Sequence, residues 1–356
     1  QILNEHNEPN VRATVKKIYD GMVVKSQNRW PSLKRDFGSI NNLLSPIFSA
    51  GFYYKTFMGP KGFWKNVYEP LIRRTAGLGK PPREFKSKSI HLHHNVDILI
   101  VGGGLAGLLA AKKLAGTDQD VLLIERDDNL GGILRNSNKI KSIDGQNSSN
   151  WIEKTDWLLK GANNIKILKN TTVTTYNYKD HLVAIEDKSV GAPPDNSKPE
   201  LVMHKIRTKH TVLANGHIER FLSFRNNDLP GIMLAASFEK YIHRYNVVAD
   251  TSPVIFTNNS STFSLLKTLV DMDHKPKAYV DIRDPKKIEK ETLDLINNYN
   301  IPFYPKSEIE GCEGKNQIEK IFIRTKKDKT LKIKTSMLCI SGGLNPDIHL
   351  FTQSKG

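Results

Sequence analysis

Six consecutive residues, Gly102-Gly103-Gly104-Leu105-Ala106-Gly107, and one acid 21 positions beyond Gly104, Glu125, carry the chemistry that stands out in this sequence. Three of the glycines have separate physical jobs. Gly102 allows a tight turn, Gly104 lets the backbone approach a pyrophosphate, and Gly107 lets a helix pack closely on a strand. A helix that starts here offers free amides and a partial positive charge to phosphates. At its distance, Glu125 is placed to accept hydrogen bonds from the ribose hydroxyls of an adenine nucleotide. A 2′-phosphate would be repelled by that carboxylate, which favours NAD or FAD over NADP. Arg126, beside it, is the exception to this charge argument.

A glycine pattern alone carries little weight, so the elements around it decide. Residues 97–101 form a short apolar run suited to a buried parallel strand, and the glycines follow with no spacer. Residues 108–114 have helical spacing. Residues 121–124 are a second apolar strand, ending on Glu125. The order is strand, glycine turn, helix, strand, acid, and every part agrees with a dinucleotide-binding βαβ unit.

The bulk composition excludes several classes. No apolar run approaches the length of a membrane span, and no signal-peptide pattern opens the chain. Cys312 and Cys339 are the two cysteines, far apart, with no CxxC and no zinc or iron–sulfur spacing. That argues against an enzyme passing hydride through a disulfide, and a reducing cytoplasm is the simplest setting. No catalytic constellation and no metal site is read; His91, His93 and His94 lack nearby cysteine or carboxylate partners and read as a polar lead-in to the first strand. With 356 residues there is room for two or three domains, and Gln at position 1 reads as the start of an internal piece of a longer chain.

The net charge of +16 is unevenly spread: residues 10–82 hold 13 Lys and Arg against 3 Asp and Glu, interleaved with many aromatics. No nucleic-acid motif accompanies this charge, so the expectation is an arm wrapped on another protein surface, with no nucleic acid and no membrane as partner.

Along the chain, residues 8–25 suggest one or two short strands with a turn at Asp20-Gly21, residues 36–44 a helix, and residues 61–77 a helix interrupted by Pro70. Residues 77–89 read as a linker. After the glycine turn, residues 151–159 read as a helix, 165–168 and 171–178 as strands, and 181–185 with 201–206 as a hairpin around the loop 186–200. Residues 211–216 read as the end of a buried strand in a small-residue turn, Ala214-Asn215-Gly216. A second βαβ skeleton follows: strand 253–256, helix 262–271, strand 277–281. Its turn is Thr257-Asn258-Asn259-Ser260-Ser261, without glycine, so a backbone approach to a pyrophosphate is blocked and the second lobe is expected to be degenerate. A helix at 287–299, a hairpin of 318–324 with 331–334 and a last strand at 336–340 complete the reading.

The words SQNRWPSL (26–33), NNLLSP (41–46), AGFYYKTFM (50–58) and FWKNVYEPLIRRTAGLG (63–79), preceded by the run from Glu8 to Thr14, resemble in content and order the alpha subunit of heterotetrameric sarcosine oxidase. The resemblance runs along the whole chain. It implies an α/β, Rossmann-like FAD/NAD(P)-binding fold of the two-dinucleotide-domain flavoprotein type, with an extended basic, aromatic-rich N-terminal arm. The implied divisions are 1–25, a remnant of an N-terminal ferredoxin-like domain; 26–90, arm and linker; 91–232, the dinucleotide-binding lobe; 233–340, the degenerate lobe; and 341–356, the truncated start of a return to the first lobe.

In that wider group, a glycine pair such as Gly131-Gly132 passes close to the cofactor's phosphates and ribose, and the backbone near Val173 holds the adenine. The turn at Ala214 and Gly216 returns to the dinucleotide. By the same resemblance the alpha subunit binds NAD, while FAD and covalent FMN serve the beta subunit and the alpha–beta interface. A secondary N-methyl amine is oxidised in the beta subunit, and the one-carbon unit passes to tetrahydrofolate. Beta, gamma and delta-type subunits are the implied partners. Two alternatives stand beside this: an FAD-binding subunit of another amine or amino-acid dehydrogenase (opine, proline or glycine), or a non-catalytic scaffold.

Overall fold

Apolar residues in two adjacent strands point alternately to two faces, and both faces are covered. This is why the runs before the glycine turn and before Glu125 are continuous in the sequence rather than alternating with polar residues. A computed structural model of the chain describes residues 2–4, 17–26, 29–32, 34–44, 59–76, 89–137, 140, 142–178, 180–191 and 199–354. The chain divides into two compact units, Gln1–His91 with Asp187–Met203, and Leu92–Glu186 with His204–Gly356.

In the first unit, strands β1 (Ile2–Asn4) and β2 (Val24–Ser26) pair antiparallel, with Ile2 opposite Ser26. The turn expected at Asp20-Gly21 is present, with the Met22 amide donating to the Tyr19 carbonyl at 3.2 Å. The helix expected at 36–44 is a 3₁₀ helix, Phe37–Leu44, and Oδ1 of Asp36 accepts from the Trp30 and Gly38 amides at 2.9 Å. Pro70 does not interrupt its helix. It lies at the start of Glu69–Thr75, directly after a π-helical turn at Trp64–Tyr68, and the helical run continues through it. The expectations for residues 8–16, 45–58, 77–88 and 192–198 lie outside the described residues.

The dinucleotide lobe contains β3 (Ser89–Val101), β4 (Val121–Ile124), the short β5 (Ser142–Ile143) and β6 (Gln146–Asn147), β7 (Ile165–Leu168), β8 (Thr171–Asn177), β9 (His181–Asp187) and β10 (Leu201–Leu213). Its six-stranded sheet has the order β7-β4-β3-β10-β9-β8. The strands β3, β4 and β7 run parallel, placing Val101 beside Ile124 and Ile124 beside Leu168. Ile100, Val121 and Leu123 meet the helices Leu105–Leu114 and Ser148–Gly161 through Leu108, Ala111, Trp151, Ile152 and Leu159. Leu99, Val101, Leu122 and Ile124 meet Leu182, Ala184 and Ile206 on the other face. Residues 211–213 end β10, with Leu213 packed against the strand-side core and Val212 exposed.

The second lobe contains β11 (His217–Glu219), β12 (Ile232–Leu234), β13 (Val254–Thr257), β14 (Ala278–Asp281), β15 (Phe303–Pro305), β16 (Glu308–Glu313), β17 (Lys320–Arg324), β18 (Thr330–Lys334), β19 (Leu338–Ser341) and β20 (Leu344–Pro346). A five-stranded sheet, β12-β19-β13-β14-β15, is parallel throughout. The helices Ala235–Tyr245, Phe263–Asp271 and Lys290–Asn298 cover one face, and the antiparallel β16-β17-β18 covers the other. The hairpin expected at 318–334 is thus part of a three-stranded sheet. β11 and β20 pair as an antiparallel ribbon, and Glu219 on it accepts the Ala236 amide at 2.8 Å, capping a helix whose own N-cap residue, Leu234, has no polar side chain. Burial pushes the Glu219 carboxyl above its usual range, against the lowering effect of hydrogen bonds from Ser341 and Ala236.

Two measurements test this architecture. Trp151, 2% exposed, fills the helix-side core, so Trp151→Ala should lower unfolding free energy by about 3–5 kcal/mol, whereas Trp157→Ala, 80% exposed on the same helix, should change it by about 0.5 kcal/mol or less, both read by urea denaturation. Because the folded-state carboxyl of Glu219 is raised, its contribution favours the fold below the ordinary glutamate range and is lost as pH rises through the raised value. Glu219→Gln should therefore gain stability relative to the parent as pH rises above the ordinary glutamate range; a melting-temperature difference that stays level over that rise would contradict the assignment.

Candidate functional site

The glycine turn is held by main-chain bonds on three sides. The Gly102 amide donates to Ile124 O at 2.8 Å, the Ala214 amide donates to Val101 O at 2.8 Å, and the Gly131 amide donates to Gly103 O at 2.8 Å. Gly102 has φ +103°, and a Cβ there would lie 2.3 Å from the Ala214 carbonyl oxygen. A Cβ on Gly107 would lie 1.8 Å from the Gly102 oxygen, so helix and turn pack backbone to backbone. Gly103 is blocked by the Leu130 side chain at 2.6 Å. At these three positions the fold itself requires glycine.

Gly104 is different. A Cβ added there meets nothing within 4 Å, and its φ of −76° is open to any residue. The fold has no need for glycine at this position, but a ligand lying against its backbone would. Gly104 is also the N-cap of the helix Leu105–Leu114, and no side chain caps that helix end. Its first-turn amides, around Leu105, Ala106 and Gly107, can donate to an anion such as a phosphate.

Glu125 closes the site from the next strand. It is 9% exposed; its Oε2 accepts the Gly103 amide at 2.6 Å and its Oε1 accepts the Asp127 amide at 2.8 Å. A carboxylate has about four acceptor positions, so two remain for sugar hydroxyls. Gly131 and Gly132, at φ +116° and +51°, lay their backbone against the turn, and a Cβ on Gly132 would sit 3.0 Å from Gly104 Cα. Beyond the turn, Ala214 touches Gly102 as described, and the Gly216 carbonyl accepts the Asp347 amide at 3.0 Å. The side-chain Oδ1 of Asn215, between them, is buried without a hydrogen-bond partner, an orphaned acceptor beside the turn. These features fit the adenosine diphosphate half of a dinucleotide.

The remaining expected site residues are less central. Val173 lies on β8, half-buried against the strand-side core, next to a bulge between Val173 and Thr175, while the amide of Thr171 on the same strand donates to Glu125 O at 2.9 Å. Arg126 is exposed. Sequence reasoning missed Asp127, Asp128 and Arg244: the Arg244 guanidinium donates to Asp127 Oδ2 at 2.6 Å and to Asp128 Oδ1. No spacing rule could link residues more than a hundred positions apart. His94 hydrogen-bonds His204 at 2.9 Å, and His204 contacts Glu186 at 3.0 Å, so the histidine of the lead-in is part of the sheet's interior.

The second lobe repeats the skeleton with the opposite outcome. Asp281, fully buried at the end of β14, occupies the position that Glu125 has in the first lobe. Both its oxygens accept from the Arg283 guanidinium, at 3.1 and 2.9 Å, and Arg283 Nη1 reaches Ser260 Oγ on the turn at 2.9 Å. At the sheet's switch point, between β13 and β19, Asn259 Nδ2 donates to Ser341 O at 3.0 Å and Ser261 Oγ meets Ser341 Oγ at 2.8 Å. Side chains thus fill the crevice in which an α/β sheet of this order receives its ligand. Cys312 and Cys339 are free and buried, and burial pushes the Cys312 thiol up to about 11 and that of Cys339 well above its usual value. Neither is a ready nucleophile.

Residues 96–356 match the family model described as pyridine nucleotide-disulphide oxidoreductase. Sarcosine oxidase subunit alpha of Rhizobium meliloti (strain 1021) is 34% identical over 98% of this chain, which covers 34% of that protein. The chain thus spans about a third of the length of the curated relatives it matches. Among solved structures, thioredoxin reductase from T. acidophilum (TM-score 0.56, 16% identity, 73% of this chain and 81% of that one) and L-proline dehydrogenase from P. horikoshii (TM-score 0.51, 21% identity, 78% and 48%) share the fold. The chain belongs to the pyridine nucleotide-disulphide oxidoreductase family, as a dinucleotide-binding member similar along nearly its whole length to sarcosine oxidase subunit alpha.

Proposed function

We propose that this chain is the dinucleotide-binding part of the alpha subunit of a sarcosine oxidase-like complex, with NAD held in the first lobe. The observation that carries this reading is Gly104, a glycine that its own fold does not require, placed at an uncapped helix end beside a buried acid. In the proposal, the backbone of Gly104 and the first-turn amides receive the pyrophosphate, Glu125 orients the ribose, Gly131 and Gly132 flank it, and the β8 backbone near Val173 borders the adenine. The second lobe, its acid paired with Arg283, takes no dinucleotide of its own.

Bound in such a site, a nicotinamide or flavin dinucleotide supplies a two-electron hydride acceptor. The residues of this lobe bind and orient; none of them is placed to break a substrate bond. In the proposed complex, oxidative demethylation of a secondary N-methyl amine takes place in a partner subunit, with FMN at a subunit interface and the one-carbon unit passing to tetrahydrofolate. The N-terminal segment suits a subunit contact: Trp30, Phe37, Phe63 and Trp64 are each at least 43% exposed. Beta, gamma and delta-type subunits are the proposed partners and the cytoplasm the proposed location. Among the described residues no helix is long and apolar enough to cross a membrane.

NAD and FAD share the adenosine diphosphate half that these residues address, so the alternative occupant is FAD. Mass spectrometry of the nucleotide released by heat from purified protein should return NAD. Release of FAD from a preparation of this chain alone would move the reading to an FAD-dependent amine dehydrogenase subunit, and absence of binding to either in calorimetry would leave a scaffold. A paired substitution tests the site itself. Gly104→Ala should cost less than about 1 kcal/mol of stability yet weaken dinucleotide binding at least about ten-fold. Gly107→Ala should cost about 2 kcal/mol or more, because its Cβ has no space. Unchanged affinity in folded Gly104→Ala would remove the central support for the proposal.

A further inference from the structure

Arg244 stands near the end of the second-lobe helix Ala235–Tyr245, its side chain 11% exposed. One arm of its guanidinium meets Asp127 at 2.6 Å and the other meets Asp128. The Asp127 amide donates to Glu125 Oε1 at 2.8 Å, and Glu125 Oε2 accepts the Gly103 amide at 2.6 Å. An unbroken chain of polar contacts therefore runs from the second lobe's helix, through the loop after β4, to the floor of the first lobe's glycine turn. We propose that Arg244 is the positioning residue for the ribose-binding acid: it fixes residues 125–128 in the form that aims Glu125 at the sugar. This rests on the reading of the glycine turn and Glu125 as a dinucleotide site.

Electrostatics explain why a clamp is needed. Glu125, Asp127 and Asp128 put three carboxylates within four residues. Arg126, between them, is exposed. The planar guanidinium spans two carboxylates at once, which a lysine ammonium on a flexible stem does far less well. The loop's other main-chain ties, Asn170 amide to Asp127 O at 3.1 Å and Thr171 amide to Glu125 O at 2.9 Å, come from its own sheet. Arg244 alone among these ties comes from the second lobe, and it lies 5.6 Å from the Tyr245 ring, which helps hold the guanidinium flat. Coupling of this kind is reciprocal: whatever fixes Glu125 from the first lobe also fixes Arg244 in the second.

The test uses the intact protein and two readouts. Hydrogen exchange without added nucleotide reports the clamp, and calorimetric titration with NAD and with FAD reports the site. Arg244→Met should speed exchange of the amides that donate to Glu125, those of Gly103 and Asp127, at least ten-fold and weaken dinucleotide binding about ten-fold. Arg244→Lys should restore part of both, and Asp128→Asn, which loosens one arm and is the milder variant should Arg244→Met fold poorly, should give an intermediate effect. In a double-mutant cycle, Glu125→Gln with Arg244→Met should bind no worse than Glu125→Gln alone, since both act through one acid. A lower melting temperature with unchanged exchange at Gly103 and Asp127, or full additivity in the cycle, would overturn the clamp and leave Arg244 a purely structural tie. If the parent protein binds neither nucleotide, the dinucleotide reading fails on its own, and the exchange result still decides whether Arg244 holds the loop.

Discussion

The hydrogen bond between the buried Glu125 carboxylate and the Gly103 amide joins the end of one strand to the turn leaving its neighbour. Its geometry demands much else. The strands must be parallel and in register so that Val101 and Ile124 end together. Gly103 must lack a side chain, because a Cβ would meet both Leu130 and Glu125 itself. The charged acceptor makes this a strong bond of its kind, worth about 1.5–3 kcal/mol where a neutral pair is worth about 1. A bond that fixes the turn also fixes the acid, so the structural and the proposed ligand-binding roles of Glu125 are the same geometry seen from two sides.

The two lobes offer an internal comparison. Each has a buried parallel strand, a turn, a helix and a second strand closing on an acid. In the first, the acid binds the turn's backbone and retains acceptor capacity. In the second, Asp281 is matched by Arg283, whose other end binds the turn's Ser260. A buried carboxylate needs a partner in either case. In one lobe main-chain amides serve; in the other an arginine side chain serves. The second turn has no glycine, and an arginine two residues beyond its acid fills the partner's role.

The family match and the geometry limit one another usefully. The family name refers to disulphide chemistry, but this chain's cysteines are single, buried and raised in pKa, so the shared property is the dinucleotide fold and not the thiol reaction. The likeness to sarcosine oxidase subunit alpha covers almost all of this chain and a third of that protein.

The sequence by itself determined the first lobe's skeleton, the identity of its glycines and acid, and the weakness of the second turn. Those features depend on neighbours in the chain: residues 98–101 and 121–124 are apolar throughout because both faces are covered, and that is legible without coordinates. The helix read at 151–159 runs over 148–161, and the strands read at 165–168 and 171–178 run over 165–168 and 171–177. Where the fold turned on distant contacts, the sequence was silent or misleading. At the end of β10 the burial alternates, with Val212 exposed between the half-buried Thr211 and Leu213, which composition alone did not show. Only the tertiary structure decided that three glycines are required by the fold while Gly104 is not, because that distinction is one of space around a Cβ. The Arg244 tie to Asp127 and Asp128 is likewise invisible in one dimension, since it depends on one lobe's helix end meeting the other lobe's loop.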